Sequence, residues 1–274
     1  MAVRLIHTLR VARNIQIVCQ EESNLGRVAD PAGGSWYVEQ LTDEIARKAW
    51  DLFQDIEARG GMLVGLTTGY VQEMIEKTAQ TRKRSIATGR MAQTGVSAFP
   101  LLGDDGIHAE PWAKPAGQRR RRAEIEVTPL KPHRLGEDFE ALRDAAEARG
   151  GLKVFLASMG EIVDHNVRST WIKNYLAAGG IEAIVSDGYK SPEDAVAAFK
   201  ASGAKAACIC SSDAVYATLA EATAKALKAA SAGPLLFAGK PGEREAALKS
   251  AGVDTFLFAG ADAVAALKDL QEKL

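Results

Sequence analysis

The chain has almost no net charge, no long apolar run and no usable set of cysteines, and each of these absences excludes something. Its 34 Lys and Arg against 35 Asp and Glu leave a formal charge of -1 over 274 residues, so no global field favours nucleic acid, an anionic membrane or an acidic substrate. No apolar stretch approaches the ~20 residues of a membrane span, and the N-terminus lacks the apolar core and cleavage site of a secretory signal. The three cysteines, Cys19, Cys208 and Cys210, are odd in number, and the last two lie one residue apart in an apolar run. They read as buried free thiols in a reducing cytoplasm, not as a disulfide framework or a zinc site.

A chain of this length holds two modest domains. In its first hundred residues the apolar positions recur at three and four, the helical period: Leu5, Leu9, Ala12, Ile15 and Val18, then Val38, Leu41, Ile45, Ala49, Phe53 and Ile56. Gly60 and Gly61 supply a stop for the second of these. A third helix is expected from about Tyr70 to Ala87, supported by a Glu73–Lys77 pair one turn apart. Nothing before residue 100 reads as strand. From 101 to 135 glycine, proline and charge dominate, as in a linker, and the run Arg119–Arg122 reads as a solvated tether rather than a strap for an acidic partner or nucleic acid.

After a helix at about Asp138–Arg149 come five short apolar runs, KVFLAS, EAIVSDG, AACICSS, PLLFAG and DTFLFAG, alternating with helical patterns. Runs so continuously apolar are strands buried on both faces. Strict alternation predicts an α/β domain over 136–274, a doubly wound five-stranded parallel sheet in the flavodoxin-like order 2-1-3-4-5. Ligands of such sheets bind beyond the carboxyl ends of the strands, at the switch between strands one and three. The loops that matter are therefore Ser158–Ser169 and Ser211–Val215, which should be neighbours.

Neither loop carries a familiar chemistry. SMGEIVDHNVRS has one glycine, Gly160, where a phosphate loop needs several, and a phosphoacceptor pocket would need an acidic cluster and a late lysine that are not there. His165 with Ser211 or Ser212 would pair a base with a nucleophile, but no strained Gly-x-Ser-x-Gly turn presents either serine, and hydroxyls at a strand end usually bond to backbone. Asp164 is expected to N-cap the helix carrying Val167, Trp171 and Tyr175, with His165 at its exposed first position. Cys208 and Cys210 should share one face of the third strand as packing residues. No catalytic and no metal-binding residue is expected.

Two stretches resemble the methylmalonyl-CoA mutase family. ARNIQIVCQEESNLGRVADPAGGSWYVEQLTDEIARKAW, followed by GGM and TGVSAFP, is similar to the segment closing that family's substrate barrel, and the α/β domain resembles its cobalamin-binding domain. The resemblance implies a mainly helical barrel remnant over 1–100 ahead of the linker and the cobalamin-binding-type domain. A complete (β/α)8 barrel takes roughly 250 residues, so most of it should be absent, through truncation or because it lies on another chain. Catalytic members carry Asp-x-His-x-x-Gly in the first loop, the histidine serving as lower ligand of cobalamin and the aspartate holding its other nitrogen. Here Asp164 adjoins His165, and Arg168 stands where the glycine belongs. Gly160, Asp164, His165 and Ser211 are thus positions of a degenerate loop. GGIEAIVSDGY, CICSSDAVYATLAE and FAGKPGE resemble the non-catalytic small subunit of the heterodimeric bacterial enzymes. The resemblance implies a large catalytic partner subunit that binds adenosylcobalamin and interconverts methylmalonyl-CoA and succinyl-CoA. Two other readings stay open, a divergent cobalamin carrier and a free-standing interaction domain.

Overall fold

The structure, a computed structural model, describes residues 2–103 and 125–274. The arginine run 119–122 and much of the expected linker lie outside the described residues. The chain forms two compact units, divided at Val71/Gln72, with Ile125–Val127 assigned to the first.

The first unit is helical: α1 is Ala2–Glu21, α2 is Trp36–Ala58 and α3 is Gly61–Thr68. The first two follow the three-and-four spacing of their apolar residues. Gly60, at φ 103°, ends α2 as expected, but the chain turns through it directly into α3, which the sequence reading did not anticipate. In GMLVGLTT the apolar residues are too dense to show a period, and a left-handed glycine redirects a chain as readily as it stops a helix. The Asp55 carboxylate takes the Tyr70 hydroxyl, and the Arg59 guanidinium lies 4.0 Å over the Tyr70 ring. No residue of α2 is buried, and its apolar stripe of Val38, Leu41, Ile45, Leu52 and Phe53 is exposed.

Tyr70–Ala87 forms α4, as the pattern predicted. Among the ion pairs of the described residues the expected Glu73–Lys77 pair is missing; Gln80 instead bonds to Glu76 at 3.0 Å, and Lys83 reaches Glu137 at 2.8 Å. Glu137–Ala148 is α5, and the strands and helices then alternate: β1 Leu152–Ser158, α6 Ile162–Ala178, β2 Ile181–Ile184, α7 Pro192–Ser202, β3 Ala206–Cys210, α8 Asp213–Ala229, β4 Leu235–Ala238, α9 Glu245–Ser250, β5 Thr255–Leu257, α10 Ala263–Lys273. The sheet is parallel throughout in the order β2-β1-β3-β4-β5 expected from the sequence.

Alternation along the strands builds two cores. Val154, Leu156, Cys208 and Leu236 face α5, α6 and α10, meeting Phe139, Ile172, Leu176 and Leu267, with Ile86 of α4 joining them. Phe155, Ala157, Ile209 and Phe237 face the other way, onto Phe199 of α7, Tyr216 and Leu227 of α8, and Leu248 of α9. Burial of these side chains is the main stabilising term, on the order of 2 kcal/mol for each large one. Gln271 of α10, buried, donates from its amide to the carbonyls of Leu142 and Gly179, each at 2.8 Å, and so ties α10 to α5 and to the end of α6. Gln271→Leu leaves both carbonyls without that donor and is expected to cost about 2 kcal/mol or more in urea unfolding; a loss within experimental error would remove Gln271 from the scaffold.

Candidate functional site

The carboxyl ends of β1 and β3 meet where a doubly wound sheet holds its ligands. Both loops singled out in the sequence are there, and they are neighbours: Met159 N–H donates to the Cys210 carbonyl at 2.8 Å, and Ser211 Oγ donates to the Met159 carbonyl at 2.6 Å. The Ser211 hydroxyl is thus spent on backbone, as expected of a serine at a strand end.

The start of α6 decides everything else at this edge. Glu161, not Asp164, is the N-cap residue, and Asp164 is the third residue of the helix. Its carboxylate reaches back to accept the Glu161 N–H at 3.0 Å, the return arm of a capping box, and takes the Ser212 hydroxyl at 3.3 Å. Ser212 in turn caps α8, so one carboxylate joins the first turns of two helices. A Cβ on Gly160 would sit 2.7 Å from Asp164 Oδ2, and its φ of 91° is open to glycine alone at little cost.

Because the helix begins earlier than expected, His165 is not at an exposed first position but buried, at 4% exposure. It shares an inward stripe with Ser169, Ile172 and Leu176, spaced four, three and four. Consecutive helical residues point about 100° apart, so Asp164 faces the cap while the adjacent imidazole turns inward. The His165 Nε2 lies 3.2 Å from the Asp187 carbonyl, and Nδ1 lies 3.2 Å from Ser169 Oγ. A carbonyl only accepts, so Nε2 carries a proton; in the neutral ring Nδ1 then accepts from the Ser169 hydroxyl. Ser169 is bonded onward to Ser158 at 3.1 Å, completing a buried His–Ser–Ser chain.

The β2–α7 loop is laid along β1 by the same contacts. Tyr189 N–H donates to the Ser158 carbonyl and Gly160 N–H to the Tyr189 carbonyl, both at 2.8 Å. Gly188, at φ 116°, passes so close that a Cβ would lie 2.5 Å from the Gly160 carbonyl oxygen and 2.8 Å from His165 Nε2.

Arg168 covers the neighbouring strand ends. Its guanidinium donates to the Ser211 carbonyl, pairs with Asp213 at 2.7 Å and lies 4.9 Å from the Tyr216 ring centroid. The Tyr216 hydroxyl is shared between the carbonyls of Ala238 and Ile209, at 2.9 and 3.1 Å. Burial pushes the Tyr216 phenol up, so it stays a donor. Cys208 and Cys210 do share one face of β3, with sulfurs 3.9 Å apart, and burial together with the Cys210 contact raises the Cys208 thiol well above its ordinary range. Such thiols remain protonated and unreactive.

Sequence reading found Gly160, Asp164, His165, Arg168 and Ser211 but missed Ser158, Ser169, the Asp187 carbonyl and Gly188. The Asp-Gly pair at 187–188 carried the only advance signal, as a turn. Among the described residues, no three His, Cys, Asp or Glu side chains converge as a metal site would require, and no helix is long and apolar enough to cross a membrane.

Fold and edge together define a doubly wound α/β domain of the flavodoxin-like class whose ligand edge is occupied by its own side chains. The chain belongs to the methylmalonyl-CoA mutase family, whose model, described as methylmalonyl-CoA mutase, matches residues 2–169. A relative in Streptomyces virginiae, named methylmalonyl-CoA mutase small subunit, is 42% identical over 97% of this chain and 41% of its own length. The relative of the same name in Propionibacterium freudenreichii subsp. shermanii is 39% identical over 93% of this chain and 39% of its own. The chain therefore spans about two fifths of the length of these relatives. A cobalamin-binding protein from Desulfitobacterium hafniense shares 18% identity over 52% of this chain and 72% of its own, with a TM-score of 0.37, too slight a likeness to add to the sheet order.

Two outcomes are expected from this geometry. Gly188→Ala should destabilise the chain by on the order of 3 kcal/mol, through strain at positive φ and the clash with backbone, with a midpoint unchanged in denaturant counting against the close approach. A thiol reagent such as DTNB should leave Cys208 and Cys210 unmodified in the folded chain and label both in denaturant; rapid labelling of either under native conditions would contradict the buried pair.

Proposed function

We propose that this chain is a C-terminal portion of the small, non-catalytic subunit of a methylmalonyl-CoA mutase. In this reading it is cytoplasmic and pairs as a heterodimer with a large subunit that binds adenosylcobalamin and converts methylmalonyl-CoA and succinyl-CoA into one another. The division into a helical barrel remnant over 1–100, a linker over 101–135 and a cobalamin-binding-type domain over 136–274 belongs to the same proposal. When bound, the cofactor supplies the radical; the chain supplies packing surface and shielding.

The observation that carries the reading is the state of His165. A histidine serving as lower ligand needs one free nitrogen facing the ligand edge and the other held by a carboxylate. Both nitrogens of His165 are engaged inside the protein, and Asp164 is committed to the helix cap. Arg168 puts a cation across the end of β3. These residues do not fit the role that the resemblance assigns to such a loop in catalytic members, and no step of the reaction is assigned to them. Two further observations support a structural role: the names of the similar relatives, and the exposed apolar stripe of α2, larger than a free-standing surface favours.

Co-expressed with a large mutase subunit, the chain should co-elute with it in size-exclusion chromatography at micromolar concentration, and separate elution would count against the pairing. Titrated alone with adenosylcobalamin, it should give no visible spectral change that His165→Ala removes; a His165-dependent change would instead make this chain a cobalamin carrier.

A further inference from the structure

The β2–α7 loop carries a chemistry that neither the helix cap nor the packing uses. Asp187 precedes Gly188, and in an aspartyl–glycyl pair the backbone amide can attack the neighbouring carboxyl with least hindrance, because glycine has no side chain to crowd the nitrogen. The chain holds two such pairs, Asp187–Gly188 and Asp105–Gly106, the second of which lies outside the described residues. Within a fold, an acceptor on the amide or a partner on the carboxylate keeps the two groups from reacting.

At 187–188 both groups are free. The Asp187 side chain is exposed and forms no hydrogen bond or ion pair among the described residues, and the Gly188 N–H has no acceptor there. The contacts that pin the loop fall on other atoms. The Asp187 carbonyl takes the His165 Nε2–H at 3.2 Å, and the N–H and carbonyl of Tyr189 pair with Ser158 and Gly160, each at 2.8 Å. Closing a ring between the Gly188 nitrogen and the Asp187 carboxyl keeps that carbonyl in place, so the first step of the chemistry breaks none of these bonds.

We propose that Asp187 is a modification site, at which the folded chain converts its own aspartyl linkage into an isoaspartyl one. In the first step the Gly188 nitrogen, losing its proton, bonds to Asp187 Cγ; the bond from Cγ to the carboxyl hydroxyl breaks, one water leaves and a five-membered succinimide remains. In the second step a water adds to the main-chain carbonyl carbon of Asp187, and the bond from that carbon to the Gly188 nitrogen breaks. The chain then runs through Cβ and Cγ, and the former carbonyl is a free carboxylate. The water taken up equals the water lost, and nothing is oxidised or reduced.

The consequence reaches the ligand edge. The path from 187 to 188 gains one backbone atom, and the oxygen that held the His165 Nε2–H no longer belongs to the main chain. There is no slack to absorb the change: a single carbon added on Gly188 would already lie 2.5 Å from the Gly160 carbonyl oxygen. The Tyr189 bonds to Ser158 and Gly160 are the ones that loosen. None of this rests on the mutase reading.

The test is to keep the full chain folded at neutral pH in oxygen-18 water for weeks, digest samples and read them by mass spectrometry with electron-transfer fragmentation, which tells the two linkages apart. A synthetic peptide spanning Val185–Lys190 gives the unconstrained rate. Isoaspartate carrying one oxygen-18 should appear at 187 at a rate within about tenfold of the peptide's, and Asp187→Glu, which would have to close a larger ring, should show none. In the isolated isoaspartyl form, hydrogen exchange at the Gly160 and Tyr189 amides should be about tenfold faster than in fresh chain. No isoaspartate at 187 by the time half the peptide has converted overturns the site, as does conversion confined to unfolded or aggregated chain. Unchanged exchange at both amides overturns the coupling to the ligand edge.

Discussion

The register at which α6 begins governs the whole ligand edge of the sheet. With Glu161 as cap and Ile162 as the first helical residue, residue 164 faces the cap and residue 165 faces inward. Everything else follows from that choice. The inward imidazole needs partners, and the Asp187 carbonyl and the Ser169 hydroxyl supply them; the β2–α7 loop is thereby drawn over β1, and the approach is so close that only glycine serves at 188. Asp164, freed from any duty to the imidazole, joins the starts of α6 and α8.

The same edge is held together by its own polar groups. The sheet, its order and its two cores are those of a doubly wound α/β domain. At the switch point, polar groups that a ligand would engage are satisfied internally: Ser211 on the Met159 carbonyl, Arg168 on the Ser211 carbonyl and Asp213, His165 on Asp187. Internal satisfaction of buried polar groups stabilises the apo form and raises the cost of admitting a ligand. In the first unit the apolar stripe of α2 is exposed instead.

The sheet was legible because its strands are buried on both faces: AACIC and PLLFA have no other reading than central strands. Helices α2 and α4 were legible from spacing alone, but α3 was hidden by its uniform apolarity. At the site, Asp164 and His165 could be picked out yet not oriented. Cap position depends on which of Glu161 and Asp164 wins the first free N–H groups, a difference of a fraction of a kcal/mol that spacing does not reveal. One turn of error inverted the burial of His165. The carbonyl of Asp187 is invisible to any reading of side-chain chemistry, and Arg168 was visible as a misfit but not as a bond to the end of β3.

The tautomer of His165 tests this description most directly. In long-range proton–nitrogen NMR of the chain labelled at histidine, the locked imidazole carries a proton on Nε2, slow to exchange because it is held on the Asp187 carbonyl. A ring with its proton on Nδ1 and Nε2 bare would be the arrangement of a metal-ligating histidine, and would contradict the inward register of α6 and the structural role built on it.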